Sequence, residues 1–387
     1  MIYSIRPKKD TTIYEWTSSI NTGIDEVLEI EKIISSSGTT DTYNSRILMK
    51  FDLSEISQSV SNGQITSPKY YLNLYTLSGK SLAYKYGLEA FPVSQSWDMG
   101  KGRRIDRTTI GGVISHDSEG ASWTYRDGEQ YFGTQWASQS AAGSQLEEGT
   151  TGSFCTTVGG GTWYVGSGSA SQSFDYEDTD VRMDVTDIVD GWLNGTITSN
   201  EGFIIMRSGS TQPGVIDEER NGKPYGSLQF FSMDTHTIYE PKLEVSWEDR
   251  QTTNVLSVID VDSDNIVDIR TKGTYKKSDR AKIQLIARPK FPEKTYVTQS
   301  EALTKYRLPK FSYWSVKDMV TEETVIPFDS QSTWMSNDSD GSYFNLWMNQ
   351  FYEERRYKFV FKTLTGDYEY PTTERIYDND YTFKVIR

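Results

Sequence analysis

Apolar and polar residues alternate with a period of two along much of the chain, and that period predicts strands. Between Arg46 and Leu53, the residues Ile47, Met49, Phe51 and Leu53 fall on one face and Arg46, Lys50 and Asp52 on the other. This is the pattern of a sandwich strand with a single face on the core. Leu72, Leu74 and Thr76 alternate with Tyr71, Asn73 and Tyr75, and Leu243, Val245 and Trp247 with Lys242, Glu244 and Ser246. Near the end, Tyr357, Phe359 and Phe361 alternate with Lys358 and Lys362, and Tyr381, Phe383 and Val385 with Thr382 and Lys384.

The period changes between Asp184 and Gly195, where Val185, Ile188, Val189 and Trp192 share one helical face. Asp and Thr at its start suit a helix N-terminus and Gly195 suits a stop, so a short helix is expected, covering one end of a sandwich. A second helix is expected around Thr298 to Tyr306, where Ser300-Glu301-Ala302-Leu303 follows a plausible cap. From about Asp98 to Gly168 the chain is rich in Gly and Ser and is expected to form a long loop insertion, with Trp97, Trp123, Trp136 and Trp163 spaced through it. After Trp247 a polar run, Glu248 to Asn254, leads into a fresh apolar segment, Val255 to Val261. The domain boundary is expected there, between residues 1–248 and 255–387.

Composition narrows the function classes. With aromatics at 13%, the chain can build real cores and is neither a disordered tail nor a coiled coil. Acidic residues number 54 against 40 basic ones, a net charge of −14, which argues against nucleic-acid binding because phosphate neutralisation needs clustered Lys and Arg. One cysteine, Cys155, excludes an intrachain disulfide framework. No apolar run approaches the roughly 20 residues that span a bilayer, and the start of the chain lacks a signal peptide's apolar core, so folding in a cytoplasm is expected. His116 and His236 are the only histidines, 120 residues apart, which leaves triads and zinc sites little to draw on. Paired carboxylates are not distinguished from chance among so many acids, and no hydrolase activity is expected. Gly159-Gly160-Gly161 is not followed by the Lys-Ser/Thr of a phosphate loop.

The order of several segments resembles the DNRLRE-domain proteins, β-sandwiches of bacterial surface proteins and phage virion proteins. Arg6-Pro7-Lys8-Lys9-Asp10-Thr11-Thr12-Ile13 is followed by Asn44-Ser45-Arg46-Ile47-Leu48-Met49-Lys50-Phe51-Asp52-Leu53-Ser54, similar to the family's first core strand. Ser96-Trp97 and Trp123 resemble its tryptophan segment; Asp184 to Gly195, Asn200 to Ile205 and Pro241 to Val245 resemble its short helix and last strands. The likeness covers about the first 248 residues and lacks the literal hexapeptide of the family's name. From Ser336 to Arg387 the chain is similar, more loosely, to modules that end phage tail and baseplate proteins. The resemblance implies an all-β chain of two sandwiches: a jelly-roll-like N-terminal one carrying the insertion and the short helix, and an Ig-like or related C-terminal one. It lends a fold rather than an activity.

Three groups of residues are candidate sites. Asp260, Asp262, Asp264 and Asp268 place carboxylates at alternate positions, as suits calcium, yet Asn265 and Thr271 stand where an EF-hand needs Gly and Glu. A solvent-facing turn without an obligatory cofactor is therefore expected, with Asn337-Asp338-Ser339-Asp340-Gly341 as a second such turn. Trp97, Trp123, Trp136 and Trp163 serve either as core or as flat surfaces for a partner protein or a glycan. Lys101-Gly102-Arg103-Arg104 and Glu353 to Lys358 are basic patches flanked by acids, expected to be salt-bridged faces or docking contacts on an acidic neighbour rather than nucleic-acid sites.

The leading expectation is a structural phage virion protein of the tail, neck or baseplate, made in the bacterial cytoplasm. It would bind other virion proteins and be oligomeric in the particle, with no part for nucleic acid or membrane. The alternative is a carbohydrate-binding module that reads a bacterial surface glycan through the loop tryptophans.

Overall fold

The computed structural model describes residues 1–34, 42–104, 119–128, 133–136, 147–148, 159–164, 168–175, 179–208, 218–219, 222–253, 255–292, 304–366, 368 and 370–387. The chain is all-β, with two α-helices among the described residues. It divides into two units. One comprises Ser4–Ser61 and Lys69–Glu244; the other comprises Val245–Arg387 together with Met1–Tyr3 and Asn62–Pro68.

The strand Thr42–Phe51 organises the N-terminal unit. Its Ile47, Leu48 and Met49 face Thr12, Thr11 and Asp10 of the strand Pro7–Tyr14 on one side, and Ile205, Ile204 and Phe203 of the strand Phe203–Arg207 on the other. Its first residues pair with Val27–Ile34 instead. The sheet runs Ala170–Asp175, Lys85–Pro92, Phe203–Arg207, Thr42–Phe51, Val27–Ile34, Gly226–Phe231, Thr76–Lys80. A second sheet pairs Lys69–Leu74 with Val181–Asp184 and is completed by Lys242–Ser246 and Ile2–Ile5. The expected one-sided alternation of Arg46 to Leu53 is corrected: Ser45, Arg46, Ile47, Leu48 and Met49 are all buried. A strand covered on both faces no longer sorts polar from apolar residues, so its charged residue needs an internal partner.

The helix Thr186–Leu193 forms within the expected segment and buries Ile188 and Val189. Asp184, two residues before its start, accepts the Thr186 N–H at 3.0 Å and the Thr186 hydroxyl. A second helix, Ser54–Ser61, carries no clear sequence signal, because its turn is serine-rich and buries only Ile56 and Ser59. Asp52 starts it by accepting the Ser54 N–H. Of the helix expected at Thr298 to Tyr306, residues 298–303 lie outside the described residues and Tyr306 belongs to the short strand Tyr306–Arg307.

The C-terminal unit is a two-sheet sandwich. One sheet runs Ser257–Val258, Tyr306–Arg307, Arg280–Pro289, Gly341–Trp347, Ser336–Asp338, with Asn265–Arg270 also on Arg280–Pro289; the other runs Thr274–Lys276, Pro371–Ile386, Arg356–Gly366, Phe311–Asp318, Thr324–Ile326. Ile283, Leu285, Phe344 and Leu346 of the first meet Trp314, Val316, Phe359, Phe361 and Phe383 of the second in one core. Trp314 and Phe344 stack with centroids 4.6 Å apart across it. Ile2 belongs to the same core, and the Met1 ammonium pairs with Asp249 at 3.1 Å.

Candidate functional site

The described segments of the insertion are fixed to the N-terminal sheet by a buried ionic and aromatic clamp; residues 105–118, 129–132, 137–146, 149–158 and 165–167 of the expected loop lie outside the described residues. Trp97, Trp123, Trp136 and Trp163 are all buried and join Ile13, Leu48, Val93, Ile204 and Met206 in one cluster. None of the four offers a flat face to solvent, so of the two uses expected of them, core and surface platform, the structure shows the core one. The physical reason is that a Gly- and Ser-rich segment holds its shape through its few large side chains, of which the tryptophans are the bulkiest. Three of their polar edges or faces are also used. The Trp97 Nε1–H donates to the Glu201 carbonyl and the Trp136 Nε1–H to the Ser122 carbonyl, each at 2.9 Å, while Lys9 lies 4.6 Å from the Trp97 ring.

Arg46 sits at the centre, its guanidinium 4.9 Å from the Trp123 ring and 5.0 Å from that of Trp163. It makes a two-pronged contact with Glu219, Nη2 to Oε2 at 2.9 Å and Nε to Oε1 at 3.4 Å, and donates through Nη1 to the Gly160 carbonyl. Both side chains of the ion pair are 0% exposed. Burial pushes the Glu219 carboxyl up, and the Arg46 charge opposes that shift. Beside them Lys32 donates to the Glu218 and Glu219 carbonyls, and the Arg207 Nη2 to those of Tyr225 and Gly226. Burial raises the Glu218 carboxyl to about 7 against the pull of Arg207.

The three glycines at 159–161 have a structural task. All have positive φ, and a Cβ at Gly160 would lie 2.6 Å from Arg46 Nη1 and 2.9 Å from the Trp123 ring. Gly160→Ala is expected to destabilise the N-terminal unit by about 2 kcal/mol or more through strain and displacement of Arg46. Thermal unfolding of the variant measures this, and an unchanged transition would show that the clamp yields.

Where the insertion meets the strand Val27–Ile34, a cleft of about 320 Å³ is lined by Tyr14, Asp25, Val27, Glu29, Arg104 and Gln229. Arg104 ion-pairs with Glu29 and lies 3.7 Å from Glu31, with its guanidinium 4.8 Å from the Tyr14 ring. Glu29 also accepts from the Tyr14, Ser227 and Gln229 side chains, and Glu31 from the Trp16 indole at 2.8 Å. Burial, then the charge of Glu29, raises the Glu31 carboxyl, while Arg104 opposes this. Such a cleft can hold a hydrogen-bonding or cationic group, but in this structure it is the insertion's own arginine that fills the role. Arg104 of the first basic patch thus makes a docking contact within the chain, while Lys101 and Arg103 are exposed. In the second, Arg355 pairs with Asp318, and Lys358 with Glu322 and Asp378.

Asp260, Asp262, Asp264 and Asp268 are exposed around a turn leading into the strand Asn265–Arg270. Asp260 accepts the Asp262 N–H, Asp262 accepts from the Thr373 hydroxyl, and Arg375 donates to the Asp262 and Ser263 carbonyls while lying 3.9 Å from Asp264. Among the described residues no group of three or more His, Cys, Asp or Glu side chains is arranged to hold a metal. Because Arg375 already supplies positive charge at the turn, millimolar calcium is expected to leave the Tm unchanged to within about 1 °C. A rise of several degrees that a chelator or Asp262→Ala abolishes would contradict this. The second turn is tight as expected: Asp338 accepts the Asp340 N–H at 2.8 Å and pairs with Lys282.

His116 and Cys155 lie outside the described residues, and His236 is 90% exposed beside Glu26. The sequence reading missed Glu219, Glu29, Glu31 and the burial of Arg46. Only the run Val27-Leu28-Glu29-Ile30-Glu31-Lys32 carries a usable signal, since acids interleaved with apolar residues on an interior strand must meet polar partners. Comparison with models of protein families gives no match, and neither does comparison with curated proteins.

Proposed function

We propose that the chain is a structural component of a bacteriophage virion, of the tail, neck or baseplate, and that it acts by protein–protein binding rather than by chemistry. The observation that carries the reading is the clamp: a fully buried Arg46–Glu219 pair and four buried tryptophans hold the described segments of the insertion against a sheet. Such an arrangement suits a rigid surface presented to a neighbour in an assembly. The resemblance to DNRLRE-domain proteins supports it further, since the segments that carry the likeness are framework elements. Thr42–Phe51 pairs directly with Phe203–Arg207, and the Val185 N–H at the start of the short helix donates to the Tyr70 carbonyl. The glycan-binding alternative rested on tryptophan faces that are buried here.

Immunolabelling and mass spectrometry of purified particles test the proposal. The expected result is a fixed copy number at one discrete site of the tail or neck. Absence from particles, together with tight binding on a glycan array, would overturn it, as would turnover of chromogenic glycosides or esters that one carboxylate substitution abolishes.

A further inference from the structure

Charge is divided unevenly between the two units. The N-terminal unit holds 32 acidic and 19 basic residues and the C-terminal unit 22 and 21, so almost all of the net −14 resides on the first. On the C-terminal unit a cleft of about 580 Å³ is lined by Arg270, Lys272, Arg280 and Lys282 against one acid, Asp279, over a floor of Ile269, Tyr275 and Ala281. All four cations are exposed. The Asp279 carboxylate is occupied by the Lys276 N–H, Lys282 pairs with Asp338 at 2.7 Å, and Arg280 lies 3.8 Å from the Trp347 ring. Arg270 and Lys272 have no ion-pair partner among the described residues. Of the half-buried lysines of this unit, Lys305 pairs with Asp340 and Lys277 with Glu353.

The N-terminal unit carries a counterpart. On the helix Thr186–Leu193, Asp187 and Asp190 are exposed and three residues apart, so they share a face, while Ile188 and Val189 anchor the opposite one. Neither makes an ion pair among the described residues. Partial burial and then the charge of Asp187 raise the Asp190 carboxyl, and Lys69 opposes this only in part.

We infer that the Arg270–Lys282 cleft of one copy receives the Asp187–Asp190 helix face of a second copy. The use of this contact in a particle rests on the assembly role proposed above, but the contact itself belongs to the chain alone. At physiological salt the mutual repulsion of two acidic chains is screened beyond about 8 Å, whereas complementary charges at contact keep most of their attraction. Because the two patches differ, an open assembly leaves a free cleft at one end and a free helix face at the other. Such a contact closes into a ring or continues as a filament.

Sedimentation of the full chain at about 100 µM, in about 150 mM and about 500 mM NaCl, tests the inference. The parent is expected to gain at least about twofold in weight-average mass at low salt and to lose it at high salt. Arg270→Glu with Lys272→Glu should remain monomeric in both, as should Asp187→Lys with Asp190→Lys, with thermal unfolding confirming that each is folded. The chain carrying all four exchanges should associate again, which a merely destabilising change cannot produce. A parent that stays monomeric at low salt, variants that associate as the parent does, or a fourfold variant that fails to recover would each overturn the contact. A monomeric chain that still labels particles would refute this inference and leave the virion role standing.

Discussion

Arg46→Ala is expected to destabilise the N-terminal unit by about 3–5 kcal/mol, since it strands the Glu219 carboxylate in a site with no solvent access. The charge itself is not what stabilises the unit. Removing two ions from water costs several kcal/mol, which the pair recovers only through its two-pronged geometry, the Gly160 carbonyl and the two indole faces. Arg46→Met combined with Glu219→Leu is therefore expected to lose at least about 2 kcal/mol less than Arg46→Ala alone. Denaturant unfolding, with hydrogen exchange on peptides from residues 42–51, measures both. A loss below about 1 kcal/mol for Arg46→Ala would show that water reaches the site.

Asp10→Asn is expected to act in the opposite direction. Asp10 is 1% exposed, and the Met233 N–H is the backbone donor that meets it, at 2.8 Å. Burial, with the charges of Asp234 and Glu240 acting in the same sense, raises its carboxyl to about 8. A raised carboxyl binds a proton in the folded state that the unfolded chain has released. Its contribution is thus fully present below about pH 4, falls as pH rises, and is lost once pH passes about 8. Asparagine keeps an acceptor for Met233 without that penalty. The variant should match the parent near pH 4 and gain about 1.4 kcal/mol per pH unit above it, levelling off beyond pH 8. A stability difference that does not change with pH would mean that Asp10 is ionised in the folded chain.

The all-β class, the short helix at Thr186–Leu193 and the alternating strands near the C-terminus were legible because each buries one face and leaves its period in the sequence. Arg46 was misread for the same reason: in a strand covered on both sides, alternation still marks two faces but no longer says which one is wet. The clamp could not be read at all. Glu219 lies 173 residues from Arg46, and its neighbours carry no periodic signal. For the tryptophans, spacing along the insertion revealed that they mattered, but only the folded arrangement separates a core from a binding face.

The C-terminal unit draws Met1–Tyr3 and Asn62–Pro68 into a body otherwise built from residues 245 onward. The hydrogen bond from the Met1 ammonium to the Trp247 carbonyl spans 246 positions, and Ile2 shares its core with Ile259 and Phe344. Closing contacts of such length is slow, because the intervening chain must surrender its freedom before any of them forms. A nascent chain would therefore hold Ile2 and Ile65 unsatisfied until the last strands emerge. Fragments ending before residue 245 should recruit chaperones through those same residues, even where the N-terminal sheets have already formed.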